Sequence, residues 1–286
     1  MTITITTSNV NGIRAAKRKG IEQWAAKNTP DVWCMQEVRA PQNEIDPIFD
    51  EFGFEYATAG RIADQSGLDR MNEICRIKGR AGVGLLSALP VIDKRYGLPG
   101  LAEDVDSGSW IEADVKTPQG YTVTVVCVYV HAGNTDDPEK MKQKYRFLDT
   151  MLVRMGQLRD EAAHGGKQAV LCGDFNIAHT PLDIKNAKAN EKHAGFLPEE
   201  RAYVDKWLGE LEFVDVMRSL CGDIQGPYTW WSQRGRAFDN NVGWRIDYQF
   251  ATPELAETAR GFVIDKAPTY DLRWSDHAPL SITYDV

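Results

Sequence analysis

Gln168-Ala169-Val170-Leu171-Cys172-Gly173-Asp174-Phe175-Asn176 runs from an apolar strand into a polar exit, and Arg245-Ile246-Asp247-Tyr248-Gln249-Phe250-Ala251 does the reverse. The first stretch delivers its chemistry at its end, the second at its start. If both serve one site, the two strands run in opposite directions, and the sheets are mixed or antiparallel rather than all parallel. Other stretches fall into the same two groups. Thr2 to Ser8 alternates β-branched and polar residues and breaks at Asn9-Val10-Asn11-Gly12, and Asp31 to Gln36 is a strand that delivers Glu37. Tyr121 to Val130 is β-branched throughout, which predicts burial on both faces, and it carries Tyr129 near its end. Ala81 to Ser87 reads as a glycine-rich strand, and Pro279 to Tyr284 is a strand that starts just after Ser275-Asp276-His277.

Helices separate these strands. Gly20 to Lys27 places Ile21, Trp24 and Ala25 at helical spacing. Met141, Tyr145, Leu148, Leu152, Met155 and Leu158 recur every three or four residues, a long amphipathic helix ended by His164-Gly165-Gly166. Pro198-Glu199-Glu200 opens another, with Tyr203, Trp207 and Leu211 on one face. Arg61 to Arg80 and Gln225 to Gly243 read as long loops, a length that usually marks binding elements or disorder. The expected architecture is two packed β-sheets with helices outside, as one domain over residues 1–286.

The net charge of −8 argues against a protein that coats nucleic acid by bulk attraction, but not against an enzyme whose carboxylates hold a cation. Basic residues cluster locally at Arg14-Lys17-Arg18-Lys19, at Lys140-Lys142-Lys144-Arg146 and at Lys185-Lys188-Lys192, and each cluster alone reads as a solvated helix face. The start of the chain lacks a basic segment followed by an apolar run, and no apolar stretch approaches the roughly 20 residues of a membrane helix. A cytoplasmic location without membrane contact is expected. The 5 cysteines include no CxxC pair, so they read as small buried hydrophobes in a reducing compartment rather than a zinc site.

Taken singly, the polar motifs have ordinary readings: an exposed glutamate at Glu37, turn-forming amides at Asn9, Asn11 and Asn176, a core tyrosine at Tyr129, a capped histidine at His277. Taken together they supply a set of complementary parts. Glu37 is a hard oxygen ligand of the kind Mg²⁺ prefers, and Asn9 and Asn11 would orient it and its waters. Asp174, at a strand end, can take a proton from water, with the Asn176 amide holding the carboxylate or a phosphate. Asp247 beside His277 would favour imidazolium, which neutralises charge growing on a pentacoordinate phosphorus. Tyr129 offers a phosphate hydrogen bond. Trp230, Trp231 and Trp244 flank Arg234 and Arg236, an interleaving that suits a nucleic-acid surface, although two of the three tryptophans also read as core.

As an ordered set, Ser8-Asn9-Val10-Asn11-Gly12-Ile13-Arg14-Ala15, Gln36-Glu37, Gly173-Asp174-Phe175-Asn176-Ile177, Asn241-Val242-Gly243-Trp244-Arg245-Ile246-Asp247-Tyr248 and Ser275-Asp276-His277 closely resemble the exonuclease III family of apurinic/apyrimidinic endonucleases. That family belongs to the endonuclease/exonuclease/phosphatase superfamily. Lys78 to Val83 and Ala194 to Arg201 also look like its segments, and the resemblance runs essentially end to end. It implies a four-layered α/β sandwich: two packed mixed β-sheets flanked by helices. It also implies Mg²⁺-dependent hydrolysis of DNA phosphodiesters (with Mn²⁺ as an alternative), cutting 5′ to abasic sites, with 3′→5′ exonuclease and 3′-phosphatase activity. By position, Glu37, Asn9 and Asp276 would serve the metal, and Tyr129, Asp174, Asn176, Asp247 and His277 would be catalytic. Trp230, Trp244 and Ile246 would form a pocket for a flipped, baseless sugar, with Arg14 and Arg236 among the contacts to double-stranded DNA. A monomer is expected. The chain departs from the family after Tyr129, where Val130-His131-Ala132-Gly133 replaces a proline and an amide and Asn134 is the nearest amide, and in a longer Arg61 to Ile77 segment. Two other functions compete: a superfamily phosphatase acting on a small phosphoester, and a catalytically dead relative that only binds nucleic acid or protein. The tryptophan–arginine region argues against the first, and a competent side chain at every catalytic position argues against the second.

Overall fold

Two helical crossovers place four polar motifs at one rim. In the computed structural model, which describes residues 1–40, 44–45, 47–48, 51, 55–58, 82–102 and 108–286, the chain begins with strand Thr2–Asn9 (β1), helices Ile13–Arg18 (α1) and Ile21–Asn28 (α2), and strand Val32–Gln36 (β2). Then come strands Glu55–Thr58 (β3), Gly84–Ser87 (β4), Val91–Tyr96 (β5), Trp110–Lys116 (β6) and Thr122–Tyr129 (β7), helix Pro138–Ala163 (α3) and strand Gln168–Asp174 (β8). Helix Pro198–Gly209 (α4), strand Val214–Asp215 (β9) and helix Val216–Cys221 (α5) precede a two-stranded ribbon of Trp230–Trp231 (β10) and Gly243–Trp244 (β11). Strands Asp247–Ala251 (β12), Ala259–Ile264 (β13) and Leu280–Asp285 (β14) complete the chain.

The two main sheets each have 6 strands, in the orders β13-β14-β1-β2-β4-β3 and β5-β6-β7-β8-β12-β9. Each has one parallel pair at its centre, β1 with β2 and β7 with β8, joined through helices on the outer face; the flanking pairs are antiparallel. Because parallel neighbours share their C-terminal edge, Asn9, Glu37, Tyr129 and Asp174 all leave their strands on the same side. The antiparallel strands enter there instead: β12 pairs with β8 so that Asp247 lies opposite Asp174, and β14 runs antiparallel to β1 directly after His277. The opposed strand directions expected from the placement of the motifs are therefore observed.

Period-two alternation sorts side chains into layers. Ile3, Ile5 and Cys34 from the first sheet meet Ile111, Val125, Cys127, Val170 and Cys172 from the second in a fully buried seam, while Val126, Val128 and Leu171 face the other way onto Phe147, Met151 and Met155 of α3. On the opposite flank, Trp33, Met35 and Leu86 pack against Ile13, Ala16 and Ile21 of α1 and α2. The result is helices, sheet, sheet, helices: the four layers. Gly173 lets β7 and β8 close, since a Cβ there would stand 1.9 Å from the Val128 carbonyl oxygen.

Several expectations change. Strands β5, β6 and β13 join the sheets without having been read from sequence. Residues Gln225 to Gly243 are not one loop, because Trp230 pairs with Trp244 across the ribbon. Lys144 lies on the buried face of α3, not on a solvated one. Of the three tryptophans, only Trp231 is core at 2% exposure. Arg61 to Arg80, Cys75 and the Lys78 to Ala81 part of the family-like segment lie outside the described residues.

Candidate active site

Sharp local turns follow the strands that carry the site. Asn11, Glu37, Arg39 and Asn176 all adopt left-handed backbone, with φ of 46, 54, 50 and 49°. Such conformations are costly for residues other than glycine and concentrate where the surrounding structure holds them in place. Here they bend the chain at the ends of β1, β2 and β8 and turn the side chains inward to one cluster.

Asn9 sits at its centre. Its Nδ2 donates to Glu37 Oε1 at 3.0 Å and to Asp174 Oδ2 at 2.9 Å, so one amide bridges two carboxylates brought from different sheets. Its Oδ1 accepts from the Asn11 backbone N–H at 2.9 Å, and Ser275 Oγ donates to its carbonyl at 2.6 Å. Asn11 Nδ2 donates to Asp276 Oδ1 at 2.7 Å, and Asn11 Oδ1 accepts from the Arg39 guanidinium at 2.8 Å. Arg39 also forms an ion pair with Glu37. On the far side of Asp174, Asn176 donates from its backbone N–H at 2.9 Å and from Nδ2 at 3.1 Å. His277 faces Asp174 with Nε2 at 3.8 Å from Oδ2, and its Nδ1 is bonded to Asp247 Oδ2 at 2.9 Å. The backbone N–H of Asp247 is itself held by Thr229 Oγ1 at 3.2 Å.

The electrostatics follow from this crowding. Burial, with the neighbouring Asp247 and Glu37 carboxylates adding to it, raises the Asp174 carboxyl to about 7 against the pull of His277. Burial opposes the charge on His277, but Asp247 and Asp174 outweigh it and lift the imidazolium to about 10. Burial pushes the Tyr129 hydroxyl well up, and Glu37 and Asp174 push it further, so it remains a protonated donor beside Glu37. Burial also works against ionised Asp276, yet His277 and the bonds from Asn11 and Trp230 hold that carboxyl below its usual range.

The donor set suits a divalent cation. Asp174, Asp247 and His277 bring potential ligand atoms within 4.8 Å of one another. Within that trio, His277 Nδ1 is already committed to Asp247, and a hard ion prefers oxygen. On the other side of Asn9, Glu37 adds a carboxylate to this acidic edge, and Asp276 joins it through Asn11 and Arg39.

Beside the cluster lies an apolar wall. Trp230 and Trp244 meet edge to face with ring centroids 5.9 Å apart, and pack with Ile246, Ile184 and Phe196. Trp230 Nε1 donates to Asp276 Oδ2 at 3.1 Å, tying this wall to the polar network. Arg14 and Arg236 stand apart from it, exposed and paired with Glu44 and Asp239. Asn134 makes its own turn, accepting from the Asp136 N–H at 3.0 Å. Arg39 and Ser275 were given no role in the sequence reading, although Arg39 follows Glu37 by two residues and Ser275 opens a quoted motif.

Fold and rim together define a class: four-layered α/β proteins with a carboxylate–histidine cluster at one edge of paired sheets. The chain belongs to the Endonuclease/Exonuclease/phosphatase family, whose profile matches residues 6–277. It is similar to an exodeoxyribonuclease of Bacillus subtilis, 29% identical over 97% of this chain and 98% of the relative. The solved structure of an AP endonuclease from Archaeoglobus fulgidus superposes with a TM-score of 0.82 at 30% identity, covering 99% of this chain and 100% of the other. A 3′ phosphatase from Neisseria, bound to a product DNA hairpin, superposes at 0.81 with 26% identity over 99% and 100% of the two chains.

Proposed function

We propose that this protein is a Mg²⁺-dependent DNA-repair nuclease, with Mn²⁺ as a substitute, that cuts duplex DNA 5′ to abasic sites, trims 3′ ends and removes 3′-phosphates. The observation that carries this reading is the Asn9 bridge: Glu37, on the metal side, and Asp174, on the acid–base side, share one amide, and His277 faces the same Asp174 oxygen. The names borne by the relatives, exodeoxyribonuclease, AP endonuclease and 3′ phosphatase, support the same chemistry.

When bound, the cation supplies Lewis acidity to a phosphate oxygen. Asp174 takes a proton from water as that water's oxygen bonds to phosphorus, the bond from phosphorus to the 3′-oxygen breaks, and the departing oxygen takes a proton from solvent, leaving a 3′-hydroxyl and a 5′-phosphate. A base near its own titration point at neutral pH suits this step, and burial has moved Asp174 there. His277, held by Asp247 and cationic, neutralises charge on the phosphorane oxygens. Asn176 and Tyr129 hold the phosphate. Trp230, Trp244 and Ile246 receive the baseless sugar, and a wall of this kind excludes one that still bears a base. Exposed Arg14 and Arg236 contact flanking phosphates.

The protein works as a monomer in the cytoplasm in this reading; buried free Cys34, Cys127 and Cys172 suit a reducing compartment, and no helix among the described residues is long and apolar enough to cross a membrane. Incubation with a duplex carrying one abasic analogue, with Mg²⁺ and with excess chelator, tests it. Cleavage at the analogue that depends on the metal is expected; an intact duplex with hydrolysis of a soluble phosphoester instead would overturn it.

A further inference from the structure

Lys144 is the one basic residue of the Lys140 to Arg146 group that is fully buried, at 0% exposure. An ammonium sealed inside a helix–sheet interface demands partners for all three N–H groups. It has them: Nζ donates to Glu200 Oε1 at 2.5 Å, to the Asn176 carbonyl at 3.0 Å and to the Ala132 carbonyl at 3.2 Å. Glu200, also at 0% exposure, uses its other oxygen to accept the backbone N–H of Gly195 at 2.6 Å and of Leu197 at 3.0 Å.

One ion pair thus ties three loops together: the turn after β7, the turn after β8, and the approach to α4. The second carries Asn176, whose amide grips Asp174, and the third lies against the tryptophan wall. At Gly195 a Cβ would stand 3.0 Å from the Trp244 ring and 3.1 Å from the Asn176 carbonyl oxygen, so that segment is wedged between the two. Asn176 Nδ2 also donates to the Val130 carbonyl at 2.9 Å, closing the circuit back to the first loop. A buried ion pair adds little net stability over an apolar pair of similar volume, so its use here is better explained by direction than by strength. An apolar side chain would fill the space but would leave the Asn176 carbonyl, and with it the left-handed turn, without a fixed position.

We infer that Lys144, paired with Glu200, is a positioning residue for hydrolysis: it acts through Asn176 to set the Asp174 carboxylate and the phosphate contact. This inference rests on the nuclease reading above. Its test is a double-mutant cycle on the full-length chain, measuring single-turnover cleavage of an abasic-analogue duplex in Mg²⁺, DNA affinity in chelator, and folding by circular dichroism. Lys144→Met is expected to slow cleavage by about 10²-fold, the scale of an ångström-sized misplacement, with affinity changed by less than about threefold. Added to Asn176→Ala it should produce almost no further loss, because the two residues act in one chain of contacts. If Lys144→Met does not fold, Lys144→Met/Glu200→Gln, which leaves no buried charge, takes its place in the same cycle. A full loss repeated in the Asn176→Ala background, or no loss at all in a folded variant, would overturn the inference. A wild-type chain that fails to cut the duplex would instead overturn the nuclease reading itself.

Discussion

Asp183 and Asp174 lie on the same stretch of chain, both sealed from solvent, yet burial has opposite outcomes at the two. Asp183 is held to about 2 although burial pushes the other way, because Arg245 and Arg218 both reach it, at 2.6 and 2.5 Å. Arg245 also bonds Asp215 at 3.0 Å, so two arginines answer two carboxylates. Asp174 has no such answer and rises to about 7. Around it Glu37, Asp247 and Asp276 bring the carboxylates to four, and among the described residues Arg39 and His277 are the cations paired with them, Lys144 being taken up by Glu200. With Asp174 ionised, two negative charges remain, the charge of one divalent ion. A fold that balances its ion pairs where they only brace the chain, and leaves them unbalanced at one rim, marks the rim as the place where something else must bind.

That contrast can be broken from either side. The largest expected effect is on chemistry: Asp174→Asn should lower single-turnover cleavage by about three orders of magnitude, with DNA affinity nearly unchanged and the thermal midpoint not lowered, as befits a site left unbalanced for function. Near-normal turnover in that variant would remove Asp174 from the mechanism. In the balanced region the effect should move to stability. Arg245→Met strands Asp215 without an ionic partner and leaves Asp183 with Arg218 alone, and should cost about 3–5 kcal/mol in denaturant unfolding; a loss under about 1 kcal/mol would show the network to be ornamental.

The two regions should also respond to pH with opposite sign. The Asp183 carboxyl is depressed from 3.8 to about 2, so its contribution is present above pH 4 and lost as pH falls toward 2, about 2 kcal/mol in all. At the metal-free rim Asp174 and His277 shift upward, while Asp276 shifts downward as Asp183 does. The Asp174 contribution is present below pH 4 and lost as pH rises through about 7, and that of His277 is present below pH 6.5 and lost toward about 10. Unfolding followed from pH 2 to 10 in chelator should therefore show Asp183→Asn flattening the acid limb and Asp174→Asn the neutral one; the reverse assignment would contradict the comparison. The smallest effect belongs to the exposed arginines. Arg14→Ala and Arg236→Ala should leave the thermal midpoint alone and each reduce the slope of log affinity against log salt by about 1. An unchanged slope would place both outside the DNA footprint.

Much of this architecture was legible in the residue order. Strands ending in Asn9, Glu37 and Asp174, set against strands that begin beside Asp247 and His277, required opposed directions, and the register of Asp247 opposite Asp174 bears that out. What stayed hidden was polar and non-local. Strand β6 buries Glu112 and Asp114 against Arg95, Arg154 and Lys167, so its sequence has the charge content of an exposed segment. Lys144 looked solvated because its justification, Glu200, is 56 positions away and on another helix. The Trp230–Trp244 ribbon is too short to carry a periodicity, and Trp231 differs from its neighbour only in which side of the ribbon it takes.

The excess of two charges is best tested by calorimetric titration of Mg²⁺ into the metal-free chain. The charge count predicts one saturable ion per chain, lost in Glu37→Gln and retained in Asp183→Asn. No saturable binding, or binding that survives Glu37→Gln undiminished, would contradict it.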